Sequence, residues 1–174
     1  MTTIHIEPLT AAAFKPYGDV IETAQRDYFM INNGSTRRYH QLGDVDTADG
    51  GGNTIISIFQ ATPLQYPLNV TMMERHPLGS QAFMPLFGNP YLILVAEPTG
   101  DLSTDKLDSS TIRGFISDGK QGINYHKGVW HHPVLALSDQ DQFLIIDRAG
   151  EGNNCDEVFF AEADIRVLAK PAGY

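Results

Sequence analysis

The chain has 174 residues, of which 42% are hydrophobic and 19% charged, and it carries a formal net charge of −9 at pH 7. That length and balance suit one soluble globular domain over 1–174 with a sizeable core. The acidic excess argues against nucleic acid as a partner, while a local cationic pocket remains compatible with a small anionic substrate. The single cysteine, Cys155, cannot close an internal disulfide, favours a reducing compartment and is read as an inert thiol. The opening MTTIHIEPLT lacks a secretory pattern, and the longest apolar run, Tyr91 to Ala96, is too short to cross a bilayer. The expected location is therefore the cytoplasm, with no membrane partner.

Sixteen glycines and ten prolines spread along the chain point to many short elements joined by tight turns. Residues 3–9 alternate like an opening edge strand that Pro8 closes. Thr10 is placed to cap a short helix over residues 11–14, which Pro16 stops. Residues 17–23 read as a strand and 30–34 as a strand end and turn. The acidic run DVDTADGGGN at 44–53 has the composition of a mobile surface loop. Strands are expected at 54–60, 69–76 and 81–86, and the apolar stretch 91–96 suits a strand buried on both faces. A second polar loop covers 98–110. Strands follow at 112–116, 122–133 and 142–148, and residues 161–168 fit either a short helix or a final strand. Strand-length segments recur about every ten residues with no long amphipathic helix, which predicts an all-β antiparallel sandwich or barrel.

The chemistry concentrates in two segments. GINYHKGVWHHP, at 122–133, holds three of the six histidines and the only tryptophan, with no acidic residue. Read as one strand, it puts Asn124, His126, Gly128, Trp130 and His132 on one face and Tyr125, Lys127, Val129, His131 and Pro133 on the other. The second segment is ERHPLGSQAF, at 74–83. If His76 points inward, Glu74 and Met72 turn inward with it and Arg75 faces away. The turn made by Pro77 and Gly79 then brings Gln81 and Phe83 back beside His76. His126 and His131 are the candidates to converge on His76. An inward Glu74 is costly unless paired or bound to a ligand. His5, His40 and His132 read as structural, and Trp130 as core or pocket wall. Asp147-Arg148 forms either an exposed salt bridge or a carboxylate clamp, the guanidinium fork suiting the latter. No P-loop, dinucleotide fingerprint, paired CxxC or GxSxG element is present.

The motifs ERHPLGSQAFMPL (74–86), QGINYHKGVWHHP (121–133) and IDR (146–148) together resemble the ureidoglycolate lyase family, whose members are also called ureidoglycolate hydrolases. The likeness extends through AFxxYGDVIET (13–23), INNG (31–34) and NCD (154–156), so it runs through most of the chain. The resemblance implies a cupin-type antiparallel β-barrel or jelly roll with one or two short helices, and a homodimer. It implies cleavage of (S)-ureidoglycolate to glyoxylate and urea, in the use of allantoin and purines as nitrogen sources. It also implies a divalent metal, nickel. Metal-binding cupins carry His-x-His, a glutamate a few residues on and one later histidine. Here His76 matches the first position and His131 the last, while Leu78 stands at the second histidine position and Gln81 at the glutamate position. The implied metal set is His76, His131 and Gln81, with Glu74 or His126 available to complete it.

Ureidoglycolate bears a carboxylate, a hydroxyl and a ureido nitrogen on one carbon. Cleaving it requires a base for the hydroxyl proton, an acid for the leaving urea and a cation for the carboxylate. The expected catalytic residues are His76, His131, His126 and Glu74, with His126 or Glu74 moving the proton. Lys127 or Arg148 is expected to bind the carboxylate, Lys127 favoured because it shares a strand face with His131. Gln81, Phe83, Asn124 and Tyr125 are expected to line the pocket. The alternatives are an amidohydrolase releasing ammonia from the same substrate and a non-catalytic cupin that binds a small carboxylate.

Overall fold

The computed structural model describes residues 2–97 and 106–174. The first half contains strands β1 (Thr2–Thr3) and β2 (Ile6–Pro8), helix α1 (Ala11–Phe14), then β3 (Gly18–Ile21), β4 (Phe29–Ile31), β5 (Thr36–Arg38) and β6 (Asn53–Ala61). Next come β7 (Leu68–Val70), β8 (Met72–Arg75), β9 (Gln81–Pro85) and β10 (Tyr91–Ala96). The last part adds β11 (Arg113–Ile116), β12 (Gly122–Tyr125), β13 (Trp130–His131), β14 (Leu135–Ala136), β15 (Asp141–Ala149), β16 (Asp156–Phe159) and β17 (Arg166–Leu168). The all-β expectation holds and is consistent with a cupin-like fold. The hydrogen-bonded ladders form separate sheets rather than one closed barrel. A five-stranded sheet runs β3-β12-β9-β15-β6, and a seven-stranded sheet runs β16-β8-β13-β10-β11-β2 with β14 also on β10. A three-stranded sheet, β1-β17-β7, and the β4-β5 hairpin complete the set.

The two large sheets face each other across the main core. Phe83, Ile123, Tyr125, Phe143 and Ile145 come from the five-stranded sheet, and Tyr91, Ile93, Val95 and Phe115 from the seven-stranded one. The intervening residues of β10, Leu92 and Leu94, point the other way and pack with Ile4, Val70 and Leu168. The strand is thus sandwiched between two apolar layers, which explains its unbroken hydrophobic sequence. Helix α1 plugs the main core with Phe14, whose ring meets Phe115 edge-on at 5.6 Å. Thr10 caps that helix as expected, its hydroxyl accepting from the Ala13 amide.

Several expected strands break, each for a local reason. Residues 3–9 split into β1 and β2, both paired in parallel, with β17 and β11 respectively; the sheets are therefore not purely antiparallel. Residues 69–76 divide at Thr71 between β7 and β8, which belong to different sheets. The tail resolves its ambiguity by doing both: a 3-10 turn at Glu162–Asp164 precedes β17. The loop expected over 98–110 lies mostly outside the described residues.

The largest correction concerns GINYHKGVWHHP, which is not one strand. It leaves the five-stranded sheet at Tyr125, turns over His126–Gly128 with Gly128 at φ 80, and enters the seven-stranded sheet at Trp130. The turn is closed by the Val129 amide donating to His126 O at 3.2 Å and the Gly128 amide to His76 O at 2.9 Å. The segment is therefore the crossing between the two facing sheets, and a period of two cannot be carried through it.

The acidic loop 44–52 also departs from expectation, because it is pinned along its length. The Asp46 amide donates to Ser80 Oγ and the Ser80 amide to Asp46 O, both at 2.8 Å. Asn124 Nδ2 donates to Asp44 O at 2.9 Å. Arg148 donates from Nε and Nη2 to Asp49 O at 3.0 and 2.8 Å. The glycines let the backbone close on that guanidinium: a Cβ at Gly52 would lie 2.3 Å from both Arg148 Nε and Thr47 O. Gly52 has an ordinary φ of −67°, so its requirement is steric rather than conformational. Gly52→Ala is expected to lower stability by about 1–3 kcal/mol, the usual cost of overpacking. Urea denaturation with an unchanged midpoint would contradict this.

Candidate active site

The site forms where β8, β9 and β13 meet beyond the polar edge of the core. In the seven-stranded sheet His131 of β13 lies directly opposite Glu74 of β8. His76 follows the end of β8, and the Pro77–Gly79 turn returns the chain into β9 at Gln81. On the facing sheet Gln81 pairs with Tyr125 and Phe83 with Ile123, so Gln81 and Tyr125 share the inward face of Phe83 and Ile123. Tyr125 and His131 therefore meet across the core, stacked at 4.2 Å with an interplanar angle of 13°. The His76 and His131 rings lie 5.0 Å apart.

Backbone carbonyls fix both imidazoles. His76 Nδ1 lies 2.7 Å from Asn154 O, and His131 Nδ1 lies 3.0 Å from Val129 O. A carbonyl only accepts, so each Nδ1 carries the proton and each Nε2 presents its lone pair to the site. His131 Nε2 is buried without a hydrogen-bond partner. Glu74 Oε1 lies 3.5 Å from it, too long for a good hydrogen bond but close enough for strong electrostatic coupling. Imidazoles that carry positive charge would hold the Glu74 carboxyl below its usual range, through the contact with His131 first and then His76 and His132, against the upward push of burial; with both Nε2 lone pairs turned inward that pull is absent.

Gln81 adds a further acceptor. Its Nε2 donates to Asp147 Oδ2 at 3.1 Å, leaving Oε1 to face His76 Nε2, also at 3.1 Å. Two lone pairs confront each other there, a contact that either a proton or a cation relieves. Burial disfavours the proton, pushing the His76 pKa down, and the neighbouring His131 acts in the same direction. The result is a cluster of acceptors: two imidazole nitrogens, an amide oxygen and a carboxylate. Ligand atoms of Glu74, His76 and His131 all lie within 4.8 Å of one another. Imidazoles whose far nitrogen donates to a backbone carbonyl are the arrangement that metal-ligating histidines use. The donor set thus fits a divalent transition ion, and Glu74 offers the carboxylate that the glutamate position, occupied by Gln81, does not.

Most other residues singled out in the sequence lie apart from this cluster. His126 is half-exposed in the crossing turn, its Nε2 3.1 Å from Asp19 Oδ2. Lys127 does not share a face with His131; its ammonium pairs with Asp49 at 2.7 Å and Asp46 at 3.4 Å, and these carboxylates raise its pKa. Arg148 forms neither an exposed salt bridge nor an open clamp: it is buried and donates to the carbonyls of Asp49 and Glu151. Asn124 is buried on the outward face of β12, bonded to Asp19 and Asp44. Phe83 belongs to the core beneath the site. His132 is buried and donates from Nδ1 to Pro133 O. Trp130 packs in a small core with Met73 and Ala96, beneath the Arg75 guanidinium at 4.6 Å. Cys155 is exposed with Sγ 3.9 Å from Glu74 Oε2; partial burial and that carboxylate raise its pKa and keep it a thiol.

Two contributors went unrecognised in the sequence. The sequence presents Asp147 as a companion of Arg148, yet its carboxylate holds Gln81. Asn154 stood only within a motif, yet its main-chain oxygen orients His76 and its side-chain Oδ1 accepts from the Leu78 amide at 2.9 Å. Asp147 reaches Gln81 only through the pairing of β15 with β9, which no local pattern reveals. Asn154 is a loop residue and had no such pattern either.

Facing β-sheets with carbonyl-oriented imidazoles and a carboxylate at the edge of their core define an all-β protein with a candidate small-molecule or metal site. Comparison with known proteins is specific: the ureidoglycolate lyase family model matches residues 1–167, and the chain belongs to that family. It is 60% identical over 171 residues to the ureidoglycolate lyase of Pseudomonas aeruginosa PAO1, covering 98% of each chain. It is 59% identical over 168 residues to the ureidoglycolate lyase of Pseudomonas syringae pv. syringae B728a, covering 97% of this chain and 96% of the relative.

Proposed function

We propose that the protein is a ureidoglycolate lyase, cleaving (S)-ureidoglycolate to glyoxylate and urea in the cytoplasm, so that allantoin-derived nitrogen can be used. Identity near 60% with ureidoglycolate lyases over almost the whole chain supports this reading. The observation that carries it to particular atoms is the partnerless His131 Nε2 beside Glu74 and His76.

In the reaction the O–H bond breaks as the carbonyl forms, the C–N bond breaks with its electron pair going to nitrogen, and a proton reaches that nitrogen as urea leaves. Glu74, a carboxylate with Oε1 3.5 Å from His131 Nε2, is suited to take the hydroxyl proton. It replaces His126 in that role, because the latter is engaged with Asp19 away from the cluster. The proton returns to the departing nitrogen from the Glu74 carboxyl. Tyr125, stacked on His131, fixes the ring plane. His76, His131 and Gln81 would hold the divalent ion, with Glu74 beside them. A bound ion would supply Lewis acidity toward the carboxylate and hydroxyl of the substrate. Lys127 is the cation assigned here to the substrate carboxylate, exchanging a loop aspartate for it, because Arg148 is buried on main-chain oxygens.

His76→Ala and His131→Ala should each lower kcat/KM by about 100-fold or more, the scale of losing an acid–base or ligand group. The assay follows glyoxylate and urea, with circular dichroism to establish folding. Full turnover in folded variants would remove the site assignment, and ammonia in place of urea would make the enzyme an amidohydrolase.

The same reading includes a homodimer. Strand β6 is the edge of its sheet, and it exposes Ile55, Ile56, Ile58 and Phe59, Ile56 to 72%. A long apolar edge strand needs a cover, and a second copy of the chain is the proposed one. The wild type should run as a dimer in light scattering and Ile56→Asp as a folded monomer; a monomeric wild type at micromolar concentration would contradict the dimer.

A further inference from the structure

We propose that Asp147 is a positioning residue that locks the Gln81 side chain with its oxygen toward His76, and so keeps a donor off His76 Nε2. The inference deepens the cation-binding reading of the same site. It starts from an amide that can be placed either way round. With Oε1 inward, Gln81 sets a lone pair against the lone pair of His76 Nε2 at 3.1 Å. With the NH2 group inward, it would donate to that nitrogen and satisfy it. In isolation the second placement is better, and it would cap the nitrogen with a hydrogen bond that any cation would have to break.

Asp147 reverses the preference. As a carboxylate it has only acceptors, so the Gln81 atom that meets it at 3.1 Å must be the amide nitrogen. Turning the amide over would set two oxygens against each other and also forfeit a charge-assisted hydrogen bond. The strand geometry holds the pair in place. Ile145 of β15 lies opposite Phe83 of β9, so two residues further along β15 Asp147 faces the same way as Gln81, two residues back along β9. Arg148, the next residue, points to the other side and bonds to Asp49 and Glu151, so it does not neutralise Asp147 by direct pairing. The contact is thus held from both ends: Asp147 fixes which atom of Gln81 faces the site, and Asn154 O fixes which nitrogen of His76 does.

Asp147→Asn is the discriminating substitution. It preserves shape and lets the introduced amide donate to Gln81 Oε1, so that Gln81 can turn its own NH2 group onto His76. The probe is Ni(II) alone, titrated calorimetrically into protein stripped of metal. Asp147→Asn should weaken binding about 10–100-fold, as losing a partner that orients a ligand does. The double variant Asp147→Asn with Gln81→Glu should recover most of that loss, because a carboxylate at position 81 again presents only acceptors to His76. In the metal-free protein, the 15N resonance of His76 Nε2 should move toward that of a hydrogen-bonded nitrogen in Asp147→Asn and return in the double variant.

Unchanged Ni(II) affinity in Asp147→Asn would overturn the proposal. So would weakened affinity without movement of the His76 resonance, the mark of a charge effect alone. So would failure of the double variant to recover while remaining folded. If the wild type binds no Ni(II) but the resonance moves and returns as described, the metal reading fails and the role of Asp147 stands.

Discussion

Two backbone carbonyls decide what this site can do. Asn154 O and Val129 O each take the Nδ1 proton of a histidine and thereby turn two basic nitrogens inward. The rest of the cluster meets those nitrogens with acceptors: Glu74 Oε1 lies 3.5 Å from His131 Nε2, and Gln81, held by Asp147, sets its oxygen toward His76. A buried polar atom without a partner costs about 1–3 kcal/mol, and His131 Nε2 is such an atom. The fold therefore keeps the site in a state that binding an electropositive partner relieves.

The scaffold makes that arrangement possible by bringing the ends of two sheets together. The crossing at His126–Gly128 carries the chain from one sheet to the other, so that Tyr125 and His131, only six residues apart, lie face to face. Loop 44–52 is tied to β9, β12 and β15 through Ser80, Asn124 and Arg148. The acidic excess that suggested a freely moving loop instead meets Lys127 and the donors around it. Function and folding share residues here: the turn that holds His76 O on the Gly128 amide also sets the separation of the two histidines.

Much of this was legible in the sequence, and the exceptions share a cause. The all-β class, the Thr10 cap and the doubly buried β10 followed from composition, capping chemistry and apolar patterning, all of which are local. The pairing of His76 with Gln81 across a Pro–Gly turn followed from period two over a short distance, as did the inward facing of Glu74. Period two failed at GINYHKGVWHHP because Gly128, at a positive φ, reverses the chain inside what reads as a strand. Lys127 was misplaced by that break. The pairing of Lys127 with Asp46 and Asp49, and of Arg148 with the Asp49 carbonyl, joins residues far apart in sequence, where no local rule reaches. Asp147 and Asn154 were missed as supports for the same reason: their roles exist only once β15 and the 151–155 loop pack against β8 and β9.

The central claim is that the acceptors of Glu74, His76, Gln81 and His131 form one cation-binding centre on which ureidoglycolate is cleaved. Anomalous diffraction at the nickel edge from crystals of metal-loaded, catalytically active protein tests it most directly. The structure predicts a peak bonded to both His76 Nε2 and His131 Nε2, with activity lost on stripping the ion and restored with it. Fully active, metal-free protein, or an ion bound elsewhere with both nitrogens left bare, would contradict it.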